Sequence, residues 1–413
     1  MTTTRRPLTA AVLAVSCVTA TLILGNPAAQ AVPLGPGCPA LYVLGVQGTG
    51  QSSPTADPLA DTGVVGALLG PVAAAEPGLV QRAYLPYEAG FGGAVPGGGA
   101  APYVASVTGA VAAVNTAAAE IAAACPQTLL AGVGYSQGAH ALSEFARTVG
   151  AGQGPVPADR VAGIALYSDP DRAPDAPVFP GRPGQLSPDP APGTDGAAVA
   201  AVQIVSAPAA GSGIAAHGTS YGDLTGRVAD ICVDGDLSCA APDHAALLRI
   251  GAEIAAQADL HDPLAALGSL HGILSGALGD AWTMVLANDF RTGPGIADYA
   301  PQVSLAQRLL DAADPRTPPP APDEGAAAAR RWAEITAAVT SDPAGVLPRL
   351  AGQLSAAWGQ LVADNAALTD PGVWARFADT VARHTGYATT GQLASGIAWM
   401  TALAHDLAGR TQP

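Results

Sequence analysis

The stretch Leu129-Leu-Ala-Gly-Val-Gly-Tyr-Ser136-Gln-Gly-Ala-His140 decides the fold. Its apolar first half, Leu129 to Gly134, suits a strand buried on both faces, and a helical pattern resumes from Ala139 to Val149. Between the two lies Gly134-Tyr-Ser136-Gln-Gly138. In a chain with 50 glycines those five letters recur by chance, so the flanks carry the weight. A nucleophilic serine needs a sharp turn between strand and helix, which lifts its hydroxyl off the sheet and turns backbone N–H groups toward a developing oxyanion. Small residues on either side relieve the crowding in that turn. Strand before and helix after are both predicted here.

The pattern repeats outward from this centre. Ala40 to Gln47 is a second buried strand candidate, ending at Gly48-Thr49-Gly50, and Leu79 to Pro86 a third. Tyr103 to Ala124 reads as a helix with Val104, Val107, Val111, Val114 and Ile121 on one face. Further strands are expected over Arg160 to Ser168 and Ala200 to Ser206. Alternating strand and helix predict an α/β domain with a mostly parallel sheet. From about His244 the pattern becomes helical, with candidates at 243–254, 262–288, 304–313, 324–339 and 343–364, and the Pro-rich 315–322 forms a stiff loop. Leu264 to Leu278 is apolar but too short to span a membrane and carries His271; a buried or lid helix is expected. Gly391 to Ala408 places Leu393, Ile397, Met400, Leu403 and Leu407 on one helical face, for packing on the sheet.

Composition bounds the function. Arg5 and Arg6, the apolar run Leu8 to Leu24 and Ala29-Gln-Ala31 form the three-part layout of a secretory signal peptide over residues 1–31. Without Cys17 in that leader, Cys38, Cys125, Cys232 and Cys239 remain, an even set suited to two disulfides in an oxidising compartment, with three pairings open. The formal charge of -15 repels phosphate backbones and excludes nucleic acid as the expected partner. The 18 basic residues are all Arg. The lack of Lys excludes Schiff-base chemistry and the phosphate-loop lysine. Gly45-Val-Gln-Gly48-Thr-Gly50 lacks the dinucleotide-loop spacing, and Asp234-Gly-Asp236 lacks the remaining ligands of a calcium loop. No metal and no cofactor is expected.

Serine is a weak nucleophile near neutral pH, so Ser136 needs a base and a group that orients the base, in the chain order Ser, acid, His. The candidate acid is Asp236, in Cys232-Val-Asp-Gly-Asp236-Leu-Ser-Cys239. At this point the chain resembles the cutinase family of secreted serine esterases. The residues that carry the resemblance are Gly-Tyr-Ser136-Gln-Gly, Cys125 eleven positions before the serine, the Cys-x-x-x-Asp-x-x-Cys loop, and Gly48-Thr49 after the first strand. It covers about residues 38 to 243 and the C-terminal segment. The resemblance implies a cutinase-like α/β-hydrolase fold, disulfides Cys38–Cys125 and Cys232–Cys239, and an oxyanion hole from the N–H groups of Thr49 and Gln137.

Two histidines compete as base. His244 follows the acidic loop at the distance usual in family members of ordinary length. His384 has an aromatic residue three places on, Tyr387, and then a final amphipathic helix, as the family's histidine has. The favoured reading is His384, with His244 as the alternative, His140 as structural, and a helical insertion between acid and base. The expected organisation is therefore a signal peptide (1–31), a core (32–244), a helical insertion or lid (245–375), and the C-terminal part of the core (376–413). The expected protein is a secreted or cell-envelope monomer. It would hydrolyse an ester or lipid substrate through Ser136, Asp236 and His384 and touch a lipid surface or the envelope transiently. An envelope acyltransferase or thioesterase, or a catalytically inactive secreted binding module, is the alternative.

Overall fold

A computed structural model describes residues 31–218 and 220–410. The leader expected over residues 1–31 lies, but for its last residue, outside the described residues.

Five strands, β1 (Leu41–Val46), β2 (Val80–Tyr84), β3 (Leu129–Tyr135), β4 (Val161–Tyr167) and β5 (Val228–Ile231), form one sheet in the order β2-β1-β3-β4-β5. Every pairing is parallel. Crossovers run through α1 (Gly63–Ala75), α2 (Tyr103–Ala124) and α3 (Gln137–Gly150), with a short α4 (Ala197–Ala200) before β5. All residues of β1, β3 and β4 are buried, as expected of apolar strands covered on both faces. One face packs Leu68 and Leu69 of α1 against Trp399, Met400 and Leu403 of the last helix. The other packs Val114 and Ile121 of α2 against Leu142 and Phe145 of α3.

Two expectations are corrected. No strand forms over Ala200 to Ser206. The Asp406 carboxylate accepts from the N–H groups of Ala198 (2.7 Å) and Val199 (3.0 Å), which fixes a helical turn there. The run beyond it then buries Ile204 while Val205 stays 70% exposed, so it finds no ladder partner. The fifth strand is instead the short β5, with Asp230 in its middle.

The second correction concerns the helical stretch. It comprises α5 (Ala246–Gln257), α6 (Pro263–Asn288), α7 (Leu305–Ala313), α8 (Pro322–Ser341), α9 (Pro343–Ala363), α10 (Pro371–Phe377) and α11 (Thr380–Thr385), but also an antiparallel hairpin of β6 (Phe290–Gly293) and β7 (Ile296–Tyr299). Helices and hairpin share a small core of their own around Val285, Ile335 and Val346. Asp262 caps α6 through the N–H groups of Leu264 and Ala265, and proline opens α8, α9 and α10, where its missing N–H costs nothing. The excursion leaves and rejoins the core at one place: Ala246 N–H donates to Asp364 O (3.1 Å) and Ala367 N–H to His244 O (3.1 Å), while Asn365 Oδ1 accepts from Leu247 N–H (2.7 Å). The chain then closes with α12 (Ala394–Ala408), beside α1 and β4.

Candidate active site

The carboxyl ends of β3, β4 and β5 meet at one edge, where open parallel sheets place their sites. Ser136 stands in the turn from β3 to α3 with φ 54° and ψ -121°, a conformation that costs roughly 1–3 kcal/mol in a residue other than glycine. Two glycines make room for it. A Cβ on Gly134 would stand 2.7 Å from Ala139 Cα, and one on Gly138 only 2.1 Å from Val46 O. The turn is pinned by Ser136 N–H donating to Tyr167 O at 2.8 Å.

His384 sits at the end of α11, brought over the elbow by its neighbours. Tyr135 Oη donates to His384 O (2.5 Å), and the Tyr135 and His384 rings are 5.3 Å apart. His384 Nε2 lies 3.0 Å from Ser136 Oγ, and Nδ1 lies 3.0 Å and 3.2 Å from the two oxygens of Asp236. Asp236 is fully buried in the loop closed by Cys232–Cys239, while Cys38–Cys125 forms at the far end of the sheet. A buried carboxylate requires donors, and Asp236 has three besides the imidazole: Ser168 Oγ (2.6 Å), Tyr387 Oη (3.0 Å) and Ser238 N–H (3.0 Å). Leu237 N–H donates to Thr380 Oγ1 (2.8 Å) and Arg383 Nη1 to Asp234 O (2.7 Å), so the acid loop and the histidine segment hold each other.

The structure thus brings Ser136, Asp236 and His384 together. It leaves His244 exposed, with φ 52° at the root of the helical excursion, and its ring takes no part in that constellation. Thr49 borders the same cavity as Ser136. Gln137 is wholly buried, and its side chain is occupied by Ser106 Oγ (3.1 Å) and Gly90 O (3.0 Å). That fixes the first turn of α3, whose leading N–H groups lack intrahelical partners. Sequence reasoning missed Ser168. It entered the sequence reading only as the last residue of the strand expected over Arg160 to Ser168, and no local pattern sets it apart.

A cavity of about 480 Å³ opens beside Ser136. Phe91, Val104, Val107 and Ile214 give it apolar walls, and α5 adds Ala252 and Ala256 from the helical excursion. One end is polar. His140, read from sequence as structural, borders the cavity with Nδ1 3.0 Å from Tyr103 Oη and Nε2 3.3 Å from Glu144. Burial pulls its imidazole down, but Glu144, Asp171 and Asp169 outweigh burial and leave it raised. Glu253 of α5 faces the same end, with its carboxyl raised by burial despite Arg316 at 3.7 Å and His217 at 3.8 Å.

A sequence profile of the family described as Cutinase matches residues 37–248. The carboxylesterase Culp6 homolog of Corynebacterium glutamicum is 36% identical over 126 residues, which is 29% of this chain and 37% of that protein. The chain therefore spans little more than a third of the length of that relative. Among solved structures, the catalytic core domain of acetyl xylan esterase from Trichoderma reesei is 19% identical with a TM-score of 0.35, covering 57% of this chain and 99% of that one. The Trichoderma reesei cutinase bound to a phosphonate inhibitor is 18% identical with a TM-score of 0.27, covering 56% and 77%.

Proposed function

This chain belongs to the cutinase family, and from that premise we propose that it is a secreted serine esterase working through Ser136, His384 and Asp236. The contiguous path Ser136 Oγ, His384 Nε2, His384 Nδ1, Asp236, with a step of 3.0 Å at each hydrogen bond, carries the reading. Ser136 Oγ attacks the ester carbonyl carbon as its proton passes to His384 Nε2. Asp236 keeps Nδ1 protonated and steadies the imidazolium that forms. The tetrahedral oxyanion takes hydrogen bonds from the N–H groups of Thr49 and Gln137. Collapse expels the alcohol, which takes the proton from Nε2 and leaves an acyl-serine. Water, deprotonated by the same nitrogen, then releases the acid and restores Ser136.

The helical excursion, residues 245–375 in this reading, supplies one wall of the acyl pocket through Ala252 and Ala256 and so acts as a roof over it. The two disulfides support export to an oxidising compartment. Hydrolysis of a short and a long p-nitrophenyl ester by Ser136→Ala, His384→Ala and His244→Ala tests the proposal. The first two are expected to lose activity by 10³-fold or more, on the order of what removing a triad member costs, and the third to retain it. Activity surviving His384→Ala and lost with His244→Ala overturns the assignment of the base.

A further inference from the structure

We propose that Ser168 is a positioning residue for the base, acting as a second acceptor for the Nδ1 proton of His384 alongside Asp236. The inference rests on the reading of His384 as the base of Ser136. Ser168 Oγ lies 2.9 Å from His384 Nδ1 and 2.6 Å from Asp236 Oδ2, so it touches the base and the acid at once. A hydroxyl has one proton to give and two lone pairs to offer. The buried carboxylate is acceptor-only and receives that proton. A lone pair of Oγ is then left facing Nδ1. For Nε2 to accept the proton of Ser136, Nδ1 must carry a hydrogen, and three acceptor atoms surround it: Asp236 Oδ1, Asp236 Oδ2 and Ser168 Oγ.

The backbone supports a dedicated role. Ser168 is fully buried and has φ 56°, one of five non-glycine residues with positive φ among the described residues, Ser136 being another. Such a conformation is costly and persists only where the surroundings impose it. Here Ser168 N–H donates to Ile231 O (3.0 Å), which fixes the turn at the end of β4 and aims Oγ at the site. Serine keeps the hydroxyl that glycine, the residue best suited to this φ, lacks.

Two functions of the hydroxyl are separable. As donor to Asp236 it acts only through the carboxylate. As acceptor from Nδ1–H it holds the productive tautomer even without the carboxylate. Ser168→Gly and Ser168→Ala both remove the hydroxyl, but glycine accepts φ 56° and alanine does not. The expected result is that both lower kcat by about 10–100-fold, the range for a hydrogen bond to a charged group, with KM within about twofold, while Ser168→Gly, relieved of the positive-φ cost that serine and alanine share, melts above Ser168→Ala. The hydrogen of His384 Nδ1, observed by proton NMR, is expected to shift in both.

In an Asp236→Ala background, Ser168→Gly is expected to cost about tenfold more, since the remaining acceptor is lost. No further loss there would reduce Ser168 to a support of Asp236 and overturn the proposal. Wild-type kcat and an unmoved Nδ1 resonance in Ser168→Gly would overturn it as well. Retained activity in Ser136→Ala or His384→Ala would remove the catalytic reading itself, whereas their loss with Ser168→Gly unaffected sinks only the second acceptor.

Discussion

Opening the two disulfides in turn is expected to separate the scaffold from the site. The longer bridge, Cys38–Cys125, spans 87 positions and the shorter, Cys232–Cys239, spans 7. In the loop-closure description the entropy removed from the unfolded chain is 2.1 + 1.5R ln n cal/mol/K, which at 25 °C gives about 4.6 kcal/mol for the longer and about 2.4 kcal/mol for the shorter. Spread over the 382 residues left once the proposed leader (31 of 413) is removed, at about 2.1 cal/mol/K each, the pairwise Cys→Ala variants should melt about 6 °C and about 3 °C below the parent. Activity should follow the reverse order. The longer bridge ties the entry of β1 to the end of α2, on the far side of the sheet from Ser136, so its variant stays active while folded. The shorter loop contains Asp236, and a carboxylate freed to wander loses its bond to His384. Its anchors to Thr380 and Arg383 limit the loss to about 10–100-fold in kcat, roughly 1.4–2.8 kcal/mol of barrier. Circular dichroism melts and hydrolysis of a short ester at 25 °C measure both quantities. If the Cys38/Cys125 variant melts later than the other, or loses more activity while folded, the division of labour is wrong.

Three further outcomes follow from the same geometry. Ser136→Gly should raise stability by about 1 kcal/mol, by relieving the cost of φ 54°, while ester hydrolysis disappears; an unchanged or lower Tm argues against strain in the elbow. Glu253 has its carboxyl raised by burial. The unfolded chain therefore releases that proton first, and stability falls as pH rises above about 4.3, the ordinary glutamate value. Glu253→Gln should accordingly be more stable than the parent at pH 7 and gain nothing at pH 4, which paired thermal melts would check. Ala256→Trp fills the roofed end of the cavity and should cut the ratio of long- to short-ester kcat/KM by about tenfold or more with the short ester spared. An unmoved ratio would place the acyl chain elsewhere.

The strands that bracket Ser136 were legible because each is buried on both faces and bounded by glycine or proline. Segment α1 was not: Gly63, Gly66, Gly70 and Pro71 in 13 residues leave little helical signal, yet Gly66 and Gly70 let the helix lie against Asp61 and Gly63 lets its start approach Gln47. Nor was β5, where four residues carry a buried Asp230 and the alternating run at 200–206 offered a better pattern with no partner to pair with. Length hid the hairpin of β6 and β7, since four-residue strands leave little periodicity. At the site, Ser136 and Asp236 lay in local patterns, whereas His384 rested on an aromatic three positions on. That aromatic, Tyr387, proves to be wholly buried with its hydroxyl on Asp236. Ser168 had no local pattern at all, because its role arises from the sheet order that puts β4 between β3 and β5.

The position of α12 has a consequence for when the protein becomes reactive. Ser136 and His384 meet across 248 positions of chain, and the helix that follows the histidine contributes Trp399, Met400 and Leu403 to the centre of the core, all fully buried. Contacts of such long sequence separation form late, after the loop entropy between them has been overcome. A growing or partly folded chain thus carries its serine without a base. In the proposed reading, the docking event that completes the core also delivers the base to Ser136, so the polypeptide stays chemically silent until it is a finished molecule.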